Sequence, residues 1–173
     1  WLAGELKSSV EKGKSWQVLA NQVVMASTTL PNFQKTLTPE QLAAQDNGFV
    51  KTLLGFSTLG LPFNLDAWDG FPAARERLYA GAAAANAKLV TLAGDTHTAW
   101  VNTLQDAQGE QRGVEFGCTS ITSPGSGAYI KDIPDLGEQV MAANEDVVWH
   151  DPFSRGYTVV TLTPEAARAE YRT

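Results

Sequence analysis

The sequence predicts an α/β domain, and three features of its 173 residues carry that prediction. Leu89 to Ala93 is a short apolar run that ends at Gly94, the pattern of a strand buried in a sheet. An alanine-rich helical segment from Pro72 to about Ala85 precedes it, so helix and strand alternate. The same pairing stands at the start of the chain. Residues 1–12 set Leu2, Leu6 and Val10 on one helical stripe, and an apolar run from Trp16 to Ala26 follows.

Taken in order, Gly13 is placed to stop the first helix. Trp16–Ala26 reads as a strand that is apolar except at Gln17, Asn21 and Gln22. Amides in such a run are costly unless satisfied. Asn21 and Gln22 therefore either bond neighbouring backbone or face a crevice at the strand ends. Residues 27–66 are irregular and rich in Pro and Gly, with a capping box at Thr38 and Gln41. So long an excursion suits a segment that lines a site. Asp69-Gly70 is a turn, Pro72 fits a first helical turn, and Asn86 closes the helix. Asp66 and Asp69 fit either a hydrogen-bonded helix start or a pair of carboxylates beside a substrate.

Beyond residue 98, Ala99–Leu104 and Gly113–Thr119 read as a hairpin, expected at the sheet edge. Cys118 is expected to be a small buried residue. The loop Thr119–Gly127 is dense in hydroxyls and glycine, which suits a turn or a backbone anion cradle. A helix over Leu136–Ala143, a strand over Tyr157–Leu162, a turn at residues 163–165 and a last extended segment complete the chain. His150 reads as a packing or surface histidine.

The chemistry concentrates at Gly94-Asp95-Thr96-His97, where a strand end releases a carboxylate and an imidazole two residues apart. Active sites of open α/β sheets lie at such carboxyl ends. A short-armed oxygen donor and a nitrogen donor suit a metal ion. The bland alternative is a capped turn with a polar loop histidine.

Composition narrows the classes. A hydrophobic fraction of 43% and a charged fraction of 18% describe an ordinary folded domain. The net charge of −6 argues against a nucleic-acid partner, which needs a basic face. No apolar run is long enough to span a bilayer. The single Cys118 makes no internal disulfide. Gly125-Ser126-Gly127 lacks the strand–turn–helix setting of a nucleophile elbow. No phosphate-binding glycine loop or dinucleotide fingerprint occurs.

Several pieces, in order, carry a resemblance: Trp1-Leu2, Trp16 to Gln22, Asp66 to Arg77, Gly94 to His97, Glu115-Phe116, Thr119 to Gly125 and Arg155-Gly156-Tyr157. Together they resemble the C-terminal half of the PhoD-type alkaline phosphatases, within the calcineurin-like metallophosphoesterases. The resemblance runs along essentially the whole chain. It implies a four-layer α/β/β/α sandwich with mixed sheets, of which residues 1–173 form the C-terminal portion and a missing N-terminal half the rest. It implies hydrolysis of phosphate mono- and diesters, with iron and calcium as metals and a periplasmic or extracellular location. Asp95 and His97 match the segment that supplies two metal ligands, Asp standing where other members of the superfamily have His. His97 is alternatively an acid to the leaving group. The strand bearing Asn21 and Gln22 resembles one that carries a ligand histidine elsewhere in the superfamily, but no histidine stands there. The remaining ligand motifs of the family are absent, so the chain is expected to hold part of a site. The competing expectation is a catalytically silent binding domain that keeps the fold.

Overall fold

A five-stranded mixed sheet forms the centre of the molecule, with strand order β1 (Gln17–Ala20), β2 (Leu89–Ala93), β4 (Gln111–Gly117), β3 (Ala99–Gln105), β5 (Val147–Asp151). The computed structural model describes residues 1–173. Helix α1 (Leu2–Glu11) leads to β1 (Gln17–Ala20), and α5 (Pro72–Ala84) leads to β2 (Leu89–Ala93). β1 and β2 are parallel, as a strand–helix–strand crossover requires. β3 (Ala99–Gln105) and β4 (Gln111–Gly117) form the expected hairpin, and β5 (Val147–Asp151) pairs antiparallel with β3. The mixed α/β class predicted from the sequence is the class observed.

Three local expectations are corrected. The hairpin lies inside the sheet, because β4 pairs with β2 and β3 pairs with β5. The strand expected over Trp16–Ala26 stops at Ala20. Asn21 N–H still donates to Leu92 O, but the Met25 and Ala26 N–H groups go to the Glu115 carboxylate instead of a strand neighbour. Cys118 is half-buried rather than enclosed.

Alternation sorts the sheet into two faces. The core face carries Leu89, Ala93, Trp100, Leu104 and Val147, packed with Met25, Phe33, Tyr79 and Leu136 from the covering segments. Glycine is required on β4 to keep this face close: a Cβ at Gly117 would sit 2.9 Å from the Trp100 side chain. The other face carries Val18, Leu92, Val114, Phe116 and Trp149, and Val18 remains 45% exposed. Over part of that face lies the hairpin of β6 (Tyr157–Leu162) and β7 (Ala167–Arg172). The Tyr171 ring packs 4.9 Å from Trp149, and its hydroxyl donates to Trp100 O.

The excursion between β1 and α5 contains α2 (Phe33–Thr36), α3 (Pro39–Ala44) and α4 (Gly48–Phe56). The predicted capping box is present: Thr38 Oγ1 accepts from Gln41 N–H, and Gln41 Oε1 accepts from Thr38 N–H. Gln45, 1% exposed, ties the excursion to the loop before α6 (Leu136–Ala143). Its Nε2 donates to Lys131 O at 2.7 Å, and its Oε1 accepts from Lys131 N–H at 2.9 Å. Asn144 makes a similar clamp on Thr29, accepting from its N–H and donating to its carbonyl.

Candidate functional site

β2 delivers the Gly94–His97 turn to the carboxyl end of the sheet. Leu89, Val90, Thr91 and Ala93 are buried, whereas Asp95 and His97 are exposed. Both have left-handed backbones, with φ of +71° at Asp95 and +58° at His97. That conformation costs an L-residue roughly 1–2 kcal/mol, and such strain concentrates at functional turns.

The turn is held from several sides. Thr96 Oγ1 accepts from Trp100 Nε1–H at 2.9 Å and from the Thr98 hydroxyl at 3.1 Å. Trp100 is buried and stacks on His150 with ring centroids 3.7 Å apart. His97 Nδ1 lies 3.3 Å from Pro124 O. A carbonyl only accepts, so this contact places the proton on Nδ1 and leaves the Nε2 lone pair free to bind a metal. The 119–127 loop therefore orients His97. Gly125 makes its approach possible, since a Cβ there would come within 2.6 Å of His97 O.

The other predicted residues are placed differently. Asn21 is half-buried and spends its Nδ2 on Val23 O, the neighbouring-backbone alternative. Gln22 and Asp66 are exposed. Asp69 has both oxygens engaged, accepting from Arg75 Nη1 at 2.7 Å and from Thr28 N–H at 3.0 Å. It shares the lining of a small cleft with Asp95, whereas Asn21, Gln22 and Asp66 stand outside it. No three His, Cys, Asp or Glu side chains converge to hold a metal ion.

Sequence reasoning missed three features. One is Glu115, fully buried on β4 and accepting from Met25 N–H, Ala26 N–H and Asn102 Nδ2 at 2.7–3.1 Å. Burial pushes its carboxyl above the ordinary range, against the pull of those donors. Glu115-Phe116 is one of the pieces that carry the resemblance, but its setting in Val-Glu-Phe-Gly reads only as a strand and gives the carboxylate no role. The second is the hydrogen bond of His150, which is packed in the core as one of its two readings expected: its Nδ1 is 3.0 Å from Ala99 O, and burial pulls its pKa down to about 4. The third is a cavity of about 250 Å³ beside Asp95 and Thr96.

With this geometry in hand, the chain can be compared with known proteins. Residues 1–171 match the family model of the PhoD-like phosphatases. The chain belongs to that family. It is 30% identical to alkaline phosphatase D of Bacillus subtilis (strain 168) over 177 residues, covering 99% of this chain and 25% of that protein. A solved structure described as the structure of PhoD matches with a TM-score of 0.70 and 30% identity, over 99% of this chain and 28% of that one. The chain thus spans about a quarter of the length of the PhoD relatives it matches.

Proposed function

We propose that this chain is part of a metal-dependent phosphoesterase acting on phosphate mono- and diesters, and that Asp95 and His97 are two of its metal ligands. The observation that carries this reading is the strained turn itself. Two left-handed residues at a strand's carboxyl end present an oxygen donor and an oriented imidazole to solvent. The donor set fits a hard or borderline cation, which would polarise the phosphate and lower the pKa of a bound water. Asp95 contributes negative charge, and the Pro124 contact holds His97 with Nε2 outward. The resemblance implies iron and calcium as the metals and a place outside the cytoplasm. No helix is long and apolar enough to cross a membrane.

Further ligands come from segments outside these 173 residues, in the same polypeptide. On this reading the five-stranded sheet and its helices form one half of a four-layer sandwich. The β6–β7 hairpin begins the second sheet on the other face, where Val18 is still exposed.

The test is metal content together with hydrolysis of bis-p-nitrophenyl phosphate by the intact gene product and by Asp95→Asn and His97→Asn variants. Asn tolerates the left-handed backbone, so fold and function are separated. Each variant should lose about 100-fold or more in kcat/KM, roughly 3 kcal/mol of transition-state stabilisation, with metal loss and little change in Tm. An intact gene product that binds no metal and hydrolyses nothing would sink the reading, and a silent binding domain would take its place.

A further inference from the structure

An apolar cavity adjoins the proposed ligands without being needed by them. A cavity of about 250 Å³ is walled by Phe33, Val50, Leu53, Ile130 and Val140, with the stacked Trp100–His150 pair also lining it. Asp95 and Thr96 form part of the same lining. We propose that this cavity receives the uncharged organic group of the phosphate ester, an aryl or short branched alkyl group, while the phosphoryl end stays at the Asp95–His97 turn. The inference rests on the phosphoesterase reading above and adds to it the class of substrate.

The distribution of charge supports this division of labour. Asp95 is the only carboxylate in the lining, and no Lys or Arg contributes to it. A phosphate brought into the cavity would lose its water and meet no cation, a prohibitive exchange. The apolar walls instead suit whatever the phosphate carries. His150 adds no charge at neutral pH, because burial disfavours its protonation more strongly than the Ala99 O contact favours it. Size agrees as well: an apolar cavity of roughly 150 Å³ already takes benzene, so this one holds a ring or a branched chain of about five carbons. At the rim, Phe49, Phe63 and Tyr129 keep 71%, 38% and 48% of their surface exposed, an apolar lip continuous with the interior.

The experiment compares ethyl phosphate with 3-methylbutyl phosphate on the metal-loaded intact gene product. Both alkoxide leaving groups are equally poor, so a difference reports the organic group and not the chemistry. Binding of 3-methylbutanol, the neutral product, is followed by saturation-transfer NMR. Leu53→Trp fills the cavity from one wall and Ile130→Phe from the other, with near-UV circular dichroism establishing that each variant folds. The expected result is a preference of about tenfold or more in kcat/KM for the branched ester. Either filling variant should bring that ratio close to one and abolish 3-methylbutanol binding. A ratio near one in the wild type overturns the inference while leaving the phosphoesterase reading in place. So does alcohol binding that persists in both folded variants. If neither ester is hydrolysed, the phosphoesterase reading fails and the inference falls with it.

Discussion

The rim turn and the layer beneath it use the same side-chain chemistry to opposite ends. Asp95 and His97 are exposed, backbone-strained and lightly partnered. Glu115 and His150, a carboxylate and an imidazole on the core face of the same sheet, are buried and held by hydrogen bonds. Burial acts on that second pair in the direction that removes charge: it raises the Glu115 carboxyl and lowers His150 to about 4. The difference teaches which groups are built to act and which to hold. The proposed ligands sit where solvent can reach them and where backbone strain is tolerated; the buried pair sits where its hydrogen bonds hold neighbouring segments.

The comparison can be broken most forcefully at Glu115. Glu115→Ala orphans two backbone N–H groups and the Asn102 amide in the core, so it should cost about 4 kcal/mol or more in urea unfolding. A loss below about 1 kcal/mol would remove Glu115 from the supporting layer.

Next comes acid sensitivity. The folded His150 pKa of about 4 lies below the ordinary 6.5. The unfolded chain therefore takes up its proton first as pH falls. Its contribution is present above pH 6.5 and lost as pH drops through about 4, amounting to roughly 3 kcal/mol. Stability of the wild type minus that of His150→Phe, measured across this window, isolates the effect. The subtraction matters because Glu115 acts with opposite sign: its raised pKa gives stability at low pH that is lost as pH rises. A flat difference curve would mean that His150 is accessible to protons in the folded state.

Smaller still is the join between the two regions. Thr96→Val leaves the buried Trp100 Nε1–H without its acceptor, and about 1–2 kcal/mol of stability should go with it. Resistance to unfolding should fall, and the metal affinity proposed for Asp95 and His97 should fall with it, since the turn loses its anchor. The smallest effect should carry the opposite sign. His97→Gly relieves the left-handed strain and should raise stability by up to about 1 kcal/mol while abolishing metal binding. A destabilised glycine variant would show that His97 serves the fold.

What the sequence revealed follows from how local each signal is. The Leu89–Ala93 strand and its turn, the Thr38–Gln41 capping box and the helix at Leu136–Ala143 are encoded within a few residues, and all three stand where expected. Asp95 and His97 were visible as candidates because a strand end is a local event. The early end of β1 was not visible, since the N–H groups of Met25 and Ala26 are claimed by a carboxylate far along the chain. Nor was the interior position of the hairpin, which depends on β5. Val-Val-Trp-His-Asp shows no clean alternation, because its outward face carries Trp149 under Tyr171. The left-handed backbone at Asp95 and His97 is equally silent in sequence, since neither is a glycine, and the contacts of Thr96 with Trp100 and of His97 with Pro124 that accompany it are seen only in the fold.

The Gln45 clamp reaches beyond statics. By offering its amide to both the N–H and the carbonyl of Lys131, one side chain stands in for a peptide group and closes a bridge of the kind strands make. Asn144 repeats the device on Thr29. An irregular excursion would otherwise breathe independently of the sheet. Stitched at these two points, it separates from the loop before α6 or from the end of that helix only with the loss of paired hydrogen bonds, which couples the local unfolding of the two segments.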